Sequence, residues 1–483
     1  MKRKLAILLI ALLVTPVAAQ ARRTTLSGGI SAGYDYTERI YDLNDTNEGD
    51  SSSDSTSRDD DETSRLVISP TITIISESER DSVSFDYTPS FLYDLDESDN
   101  DLDHHLTLDY NRSLSRNWSI KLSDSFVDTD EFNSYGTPDG LFDEEADDTV
   151  VSATPTTENR LRDESGRRRY YTNTFFASTD YTYFEESVLS FGYSWNILRN
   201  DDVSEEENYE DYDKHDLNFS VSHRFNSQWK MSGYGRYIQG IYDSPEDTTV
   251  QEDVETATGN DDLYEYHAGL SLSSEFKQHH PVTLSYDFSE TEYDSENTDN
   301  SQIHAFNIGY QWAATPRLDA SFGIGPTYSK QNDSEDSWDT NGYLTILYRL
   351  ERGSFSFNST AGTEFENFSG TDERGFSQYW QTRADYNYTL IKDLTLGLYC
   401  YYRNENRGEL AGTPVGEVDE LTTTEIEVQQ YALGGSLSYT FYENYTAAFS
   451  YGFVNQSSDL PDDEYDDHRV QLTVSYQNDF MQW

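Results

Sequence analysis

The chain has 483 residues, with 90 Asp and Glu against 33 Lys and Arg, 38 Tyr, and a mean hydropathy of −0.79. An apolar content of 35% is low for a compact enzyme of this size, and a formal net charge of −57 repels nucleic acid. Disordered chains of comparable charge lack aromatic residues, which here make up 14% of the chain and recur along its whole length. Beyond the N-terminus no apolar run approaches the roughly 20 residues of a membrane-spanning helix.

The N-terminal segment predicts an exported protein. Residues 2–4 are basic, residues 5–14 form an apolar run, and residues 19–21 match the cleavage site of a signal peptide. We therefore expect a signal peptide at residues 1–21, cleaved near Ala21, and a mature chain of residues 22–483 that forms one domain. The removed segment holds three basic residues and no acid, so the mature charge is 30 − 90 = −60.

One period runs through the mature chain, in which apolar and polar residues alternate. Segments 189–197, 217–225, 282–288 and 318–328 show it clearly. A period of two is that of a β-strand with two unlike faces, so strands are predicted throughout. No segment of comparable length has a helical period.

The connections between the predicted strands are alternately short and long. Turns such as 185–187 and 391–393 alternate with acidic segments such as 42–64 and 366–375, and nine short and ten long connections join twenty strands, with 18 to 22 as the range. In an antiparallel meander this places short periplasmic turns at one end and long acidic external loops at the other. A sheet in hydrocarbon must also close on itself to pair every backbone group. The predicted fold is therefore an all-β, transmembrane antiparallel up-and-down β-barrel of the bacterial outer membrane.

Aromatic residues recur beside the short turns, as in a girdle at the level of lipid headgroups. They are Trp118, Tyr183, Trp229, Trp312, Tyr388 and Tyr442. The last strand alternates from Val470 to Tyr476 and runs to an aromatic terminus, which is typical of substrates of the barrel-assembly machinery. Phe480 keeps this alternation and Trp483 does not, so we expect a bend near residues 477–479 or an overhanging last residue.

The alternation also assigns charged residues to the interior face. They are Asp35, Asp86, Asp109, Lys121, Asp180, Asp216, Arg224, Lys230, Arg236, Asp287, Asp319, Arg349, Glu364, Arg383, Asp385 and Arg403. Acids and bases nearly balance in this set. We therefore place most of the negative charge in the external loops, where it can concentrate cations at the mouth, bind divalent cations, or simply keep the loop surface solvated.

The longest connection, residues 129–169, has an acidic first half and a basic second half. The basic residues are Arg160, Arg162, Arg167, Arg168 and Arg169. A loop this long is usually functional or disordered. Two interpretations stay open: a constriction loop folded into the pore, or an external loop whose arginines contact lipopolysaccharide phosphates or its own acidic half.

Two turn-centred segments suggest a family. Residues 105–126, HLTLDYNRSLSRNWSIKLSDSF, and residues 214–234, KHDLNFSVSHRFNSQWKMSGY, share an alternating strand, a short turn, a Trp and a second alternating strand. With the signal peptide and the aromatic terminus, this resembles the type 2 β-barrel porin group of bacterial outer-membrane proteins, often linked to exopolysaccharide loci. The resemblance implies a channel for passage or export of hydrophilic solutes, as part of an exopolysaccharide export system. Outer-membrane lipid, lipopolysaccharide and periplasmic export partners are the partners it implies.

Two other functions remain open. One is a structural barrel that docks a secreted complex such as an electron-transfer conduit, although no C-x-x-C-H segment exists for covalent haem. The other, less favoured, is a hydrolase in the barrel wall, with residues 103–105 and 213–215 as Asp/His pairs at external strand ends. We assign no catalytic, cofactor-binding or metal-binding residue, and divalent cations at the acidic loops are the only cofactor considered. Cys400, the single Cys, is expected to be a packing residue.

Overall fold

The computed structural model describes residues 22–41, 61–130, 168–201, 209–243, 262–275, 280–294, 300–331, 336–370, 375–407, 426–459 and 464–483. The predicted signal peptide, residues 1–21, lies outside these ranges. The described residues form twenty strands: β1 (Arg23–Tyr41), β2 (Asp61–Glu77), β3 (Asp81–Asp94), β4 (Asn100–Ser115), β5 (Trp118–Thr129), β6 (Tyr170–Phe184), β7 (Ser187–Asn200), β8 (Asp211–Arg224), β9 (Trp229–Asp243), β10 (Leu263–Ser274), β11 (Val282–Tyr293), β12 (Ser301–Thr315), β13 (Leu318–Gln331), β14 (Ser337–Arg349), β15 (Gly353–Phe365), β16 (Phe376–Ile391), β17 (Leu394–Arg407), β18 (Ile426–Phe441), β19 (Tyr445–Ser458) and β20 (Tyr465–Gln482).

The strands form one closed ring. Each strand pairs antiparallel with the next along the chain. The ring closes because β20 pairs antiparallel with β1. The predicted all-β, twenty-stranded, up-and-down barrel is therefore confirmed. Among the described residues, no helix is long and apolar enough to cross a membrane.

The short turns all lie at one end of the barrel, called here the short-turn end, and the opposite end is called the long-loop end. Two of the tightest turns contain a residue in the left-handed region, Glu186 with φ 54° and Asp393 with φ 66°. A register shift of the paired strands accompanies both turns, between Thr182 and Phe184 and between Thr389 and Ile391. A left-handed residue with such a shift is typical of a three-residue hairpin whose bulge matches the twist of the strands.

The two faces of the barrel differ as the alternation requires. Large apolar side chains are exposed on the outer face, for example Ile308, Ile324 and Leu433 at 54–63%. The outer face also carries an acid that the sequence analysis missed. Asp124 lies between Leu108 and Phe175 in the register and accepts a hydrogen bond from Nδ2 of Asn173 at 3.3 Å.

The expected bend of the last strand is a bulge at Phe480. Met481 faces Leu26 and Asp479 faces Ser27, so Phe480 is the extra residue, just beyond the predicted position. The Phe480 ring covers Gly28, where a Cβ atom would collide with it. The bulge shifts the phase of the alternation and lets Trp483 exchange two backbone hydrogen bonds with Thr24, at 2.8 and 3.0 Å.

Candidate functional site: a constriction at the long-loop end

The interior becomes more tightly packed towards the long-loop end. Near the short turns the side chains of Arg349 and Asp319 pair while 40% and 33% exposed. Towards the other end, Arg403 and Glu405 pair while only 5% and 2% exposed. In the part of the chain that the structure describes, the interior is therefore more open at the short-turn end and more constricted at the long-loop end.

The connection between β15 and β16 crosses the interior. Its described residues 366–370, called here the crossing loop, leave β15 and reach β8 to β11. Nδ2 of Asn367 donates to Oε1 of Glu265 on β10 at 2.7 Å, and Oδ1 of Asn367 accepts from the Tyr293 hydroxyl on β11 at 2.6 Å. The carbonyl of Asn367 accepts from the Tyr242 hydroxyl on β9. A loop that belongs to β15 is thus fastened to a wall five strands away.

An apolar contact reinforces this attachment. Phe368, next to Asn367, packs edge-on against Tyr212 and stacks on Tyr242, with ring centroids 5.4 and 6.0 Å apart. The Lys214 ammonium lies 4.1 Å from the centre of the Phe368 ring. Leu198, Ile238 and Leu263 complete a fully buried cluster around these rings. Burying a Phe side chain contributes about 1.5–3 kcal/mol, so the loop is held by packing as well as by hydrogen bonds.

Arg403 on β17 fixes the base of the crossing loop. Its guanidinium pairs with Glu364 at 2.6 Å, with Glu366 at 3.4 Å and with Glu405 at 2.8 Å. Glu405 also pairs with Arg407 at 2.8 Å. Because buried carboxylates are stable only when they are paired, Arg403 holds together the two acids that flank the start of the loop.

The closure between β1 and β20 adds a second group of buried charges. Arg39 pairs with Asp467 at 2.9 Å and stacks on Tyr465, with its guanidinium carbon 4.2 Å from the ring centre. Arg469 pairs with Asp35 at 2.9 Å. The charges in this part of the constriction are thus also compensated locally.

The predicted constriction loop, residues 129–169, is only partly described. Arg160, Arg162 and Arg167 lie outside the described residues. Nε of Arg168 donates to Oδ1 of Asn200 at 2.8 Å, and its guanidinium stacks on Tyr209. Arg169 pairs with Asp128 at 2.9 Å and with Asp101. These two arginines contact the barrel wall at the end of the loop.

Three carboxylates meet close to Arg169. Ligand oxygens of Asp101, Asp103 and Asp130 all lie within 4.8 Å of one another. Two guanidinium groups contact this cluster, since Arg65 pairs with Asp130 at 2.7 Å and Arg169 with Asp101. Divalent cations at the acidic loops stay a prediction.

Several of the charged residues that the sequence assigns to the interior face contact one another or a neighbouring side chain. Arg236 pairs with Asp216 at 2.6 Å, and Asp287 accepts from the Tyr234 hydroxyl at 2.9 Å. Arg383 pairs with Asp385 at 2.9 Å, Asp86 accepts from Thr73 at 2.5 Å, and Arg224 pairs with Glu186. Three of these contacts join an acid to a base. The interior position of Asp109, Lys121, Asp180 and Lys230 stays a prediction.

One predicted external loop is corrected. The length and acidic composition of residues 366–375 predict an external loop, but Asn367 and Phe368 are 1% and 7% exposed inside the barrel. The physical reason is that Phe368 finds an aromatic pocket and Asn367 finds buried hydrogen-bond partners there. A Phe beside an Asn in an otherwise acidic loop was the available signal.

In the two Asp/His segments considered for a hydrolase, the described hydrogen bonds of Asp103, His104, Asp213 and His215 go to other residues. Asp103 and His104 are consecutive strand residues and so point to opposite faces. Nδ1 of His104 lies 3.0 Å from the Tyr87 hydroxyl, and Asp103 accepts from Thr129 at 2.8 Å. Asp213 accepts from Nε1 of Trp195 at 3.1 Å, whereas Nδ1 of His215 lies 2.9 Å from the Tyr193 hydroxyl.

No protein-family model matches the chain, and no curated protein matches it. The resemblance to the type 2 porin group is therefore not confirmed. Among solved structures, OpdQ of Pseudomonas aeruginosa is similar with 12% identity and a TM-score of 0.40 over 95% of this chain and 98% of that chain. A BenF-like porin from Pseudomonas fluorescens Pf-5 is similar with 10% identity and a TM-score of 0.42, over 94% of this chain and 99% of that chain. The siderophore receptor PirA from Pseudomonas aeruginosa is similar with 8% identity and a TM-score of 0.49, over 94% of this chain and 80% of that chain. Scores this low carry no argument about function.

Proposed function

We propose that the protein is an outer-membrane channel that passes small hydrophilic solutes. The observation that carries the proposal is the closed twenty-stranded barrel with an apolar outer face and a polar interior. Hydrocarbon offers no partners to backbone groups, so a sheet that spans a membrane has to be closed in this way. Exposed Ile, Leu and Phe side chains around the ring are costly in water and favourable in lipid.

The interior is wide enough to conduct. A barrel of twenty strands has a backbone diameter of roughly 40 Å, which leaves a space on the order of 20 Å once the interior side chains are included. The crossing loop takes part of that space at the long-loop end. Among the residues that the structure describes, the narrowest section therefore lies near residues 366–370, and we expect it to set the size limit.

The constriction selects by size more than by charge. Its arginines are paired with carboxylates, as in the groups around Arg403 and Arg39. A paired charge projects a weak field, so neither cations nor anions are strongly excluded there. Small sugars, amino acids and inorganic ions are therefore the expected solutes.

The finer proposal of exopolysaccharide export rests on the sequence resemblance alone. A polymer chain would have to pass the crossing loop, which hydrogen bonds and aromatic packing fasten to β9, β10 and β11. Export of a polymer consequently requires that loop to move aside, whereas passage of a small solute does not.

Planar-bilayer recordings and liposome swelling test the proposed function. Purified protein, shown to be folded by its β-sheet circular dichroism, is expected to give stepwise conductance in KCl and swelling rates that fall as the sugar grows from a mono- to a tetrasaccharide. A folded, inserted barrel that gives neither conductance nor swelling would disprove the channel and favour a structural or docking role.

A further inference from the structure

A histidine recurs at one height on the outer face of the barrel. Four strands carry a histidine as their fourth or fifth residue: His104 on β4, His215 on β8, His304 on β12 and His468 on β20. Each of them is followed by apolar residues at every second position, as in His215-x-Leu217-x-Phe219. The four strands stand at multiples of four around the ring, so these imidazoles are spread around the barrel. The set of four is called here the histidine belt.

Each belt histidine is held by a tyrosine of the preceding strand. The Tyr hydroxyl lies 2.9–3.0 Å from Nδ1 in all four pairs, Tyr87 with His104, Tyr193 with His215, Tyr286 with His304 and Tyr451 with His468. The Tyr is placed diagonally, opposite the residue two positions after the His. A hydroxyl that donates to Nδ1 leaves the ring proton on Nε2, which then becomes a donor. The hydrogen bonds of these imidazoles to the described residues all involve Nδ1.

On β8, β12 and β20 the belt marks the edge of the apolar band, whereas on β4 the outward residue two positions nearer the long-loop end is Leu102. Two positions nearer the long-loop end, the outward residues of β8, β12 and β20 are Asp213, Gln302 and Asp466, which are polar. Two positions towards the short turns they are Leu217, Phe306 and Val470, which are apolar. In a bilayer, the boundary between such residues lies at the level of the lipid headgroups.

We infer that the histidine belt binds lipid headgroups that carry an exposed phosphate monoester, in the leaflet on the side of the long loops. Each Nε2–H donates to a phosphate oxygen, while the Tyr hydroxyl on Nδ1 fixes the orientation of the ring. Hydrogen bonds to a charged acceptor are shorter and stronger than those to a neutral one, which favours phosphate over an ester carbonyl. This inference rests on the proposed membrane location and not on conduction.

The four sites differ in their neighbours. His104 lies opposite Asp128 and His468 lies opposite Glu38, so a carboxylate repels phosphate at these two positions. His215 lies between Trp195 and Gln239, and His304 lies between Phe288 and Tyr328, none of which is charged. The Tyr328 hydroxyl donates to Asp336 at 2.6 Å, but Asp336 precedes β14 and so lies two strands away from His304. Asp213, on the same strand as His215, pairs with Arg199 at 2.6 Å. His215 and His304 are therefore the stronger phosphate sites.

Lipid selectivity measured by electron spin resonance tests the belt. The measured quantity is the relative association constant of chain-spin-labelled phosphatidic acid over phosphatidylcholine, with the protein inserted in vesicles at pH 7.5. Phe replaces His because it keeps the aromatic ring and removes the donor. We expect the double variant His215→Phe/His304→Phe to lower the constant at least twofold and His104→Phe/His468→Phe to lower it less. His105→Phe, on the interior face, is the matched control and should leave it unchanged.

Equal constants for the wild type and the His215/His304 double variant would overturn the inference. So would an equal loss in the His105 control, because a change of that kind is structural. If the double variant does not insert, the two single variants are compared, and each is expected to give roughly half of the loss. Conductance of the same preparations separates the two proposals: a barrel that shows the lipid selectivity without conducting would refute the channel and leave the belt in place.

Discussion

Releasing the crossing loop should widen the channel. In Asn367→Ala, the loop loses the 2.7 Å hydrogen bond to Glu265 and the 2.6 Å hydrogen bond from Tyr293. A hydrogen bond to a charged group contributes about 1.5–3 kcal/mol and a neutral one about 0.5–1.5 kcal/mol. A loss of about 3 kcal/mol shifts the equilibrium between the docked and the released loop by a factor of about 100 to 200.

The same release is expected from Phe368→Ala, for a different reason. Phe368 fills the aromatic pocket of Tyr212 and Tyr242, and truncating a buried Phe to Ala usually costs about 3–5 kcal/mol. Two packed layers of chain stand about 10 Å apart, so a loop crossing a space about 20 Å wide occupies about half of it. Mean single-channel conductance should therefore about double in either variant.

Single-channel recording in planar bilayers measures this change, with the wild type and Asn358→Ala as references. Asn358 lies on the interior face of β15, the strand that precedes the crossing loop. Its side chain is exposed and lies away from the loop. The reasoning is refuted if Asn367→Ala and Phe368→Ala, both folded and inserted, keep the wild-type conductance and the wild-type solute size limit. An equal increase in Asn358→Ala would also refute it, because the effect would not then be specific to the loop.

Three further predictions concern stability and selectivity. Arg403→Met removes the buried guanidinium that Glu364, Glu366 and Glu405 share and should lower the free energy of unfolding, measured by urea titration in lipid vesicles, by about 3–5 kcal/mol. Arg349→Met, at an exposed pair, should cost less than about 1 kcal/mol, and equal losses in the two variants would contradict the burial argument. Asp124→Leu removes an acid from the apolar outer face and should raise the free energy of unfolding by about 1–2 kcal/mol. An unchanged or lower free energy of unfolding would mean that Asp124 has a partner in the membrane. Reversal potentials should show a cation preference at 0.1 M KCl that nearly vanishes at 1 M, where the screening length falls from about 10 Å to about 3 Å; a preference independent of salt would place its origin in the interior instead of the acidic mouth.

The sequence was sufficient to predict the barrel because a period of two determines both the strand and its two faces. Once Val282, Leu284 and Tyr286 are assigned to one face, Asp287 has to lie on the other, and a change of one residue in register would reverse every side chain. Strand number followed from the alternation of short and long connections. These features are local in the chain, so they can be read without knowing which parts of the structure meet.

The constriction could not be predicted in the same way because its contacts are not local. Asn367 and Glu265 are 102 residues apart in the chain, and nothing near either residue indicates the other. Asp124 was missed because its strand reads as polar on both faces around Ser123 and Ser125. The histidine belt, by contrast, had a readable signal: four histidines, each at the start of an alternating run.

The closure of the ring has a consequence for the order of events in assembly. The side chain of Ser27 on β1 donates to Asp479 on β20, a residue 452 positions later. Before β20 pairs with β1, each of the two strands has one edge of unpaired backbone groups that can pair with another chain. The pairing of β1 with β20 is therefore the last strand pairing to form. If synthesis stalls before it forms, the exposed strand edges can pair with other chains.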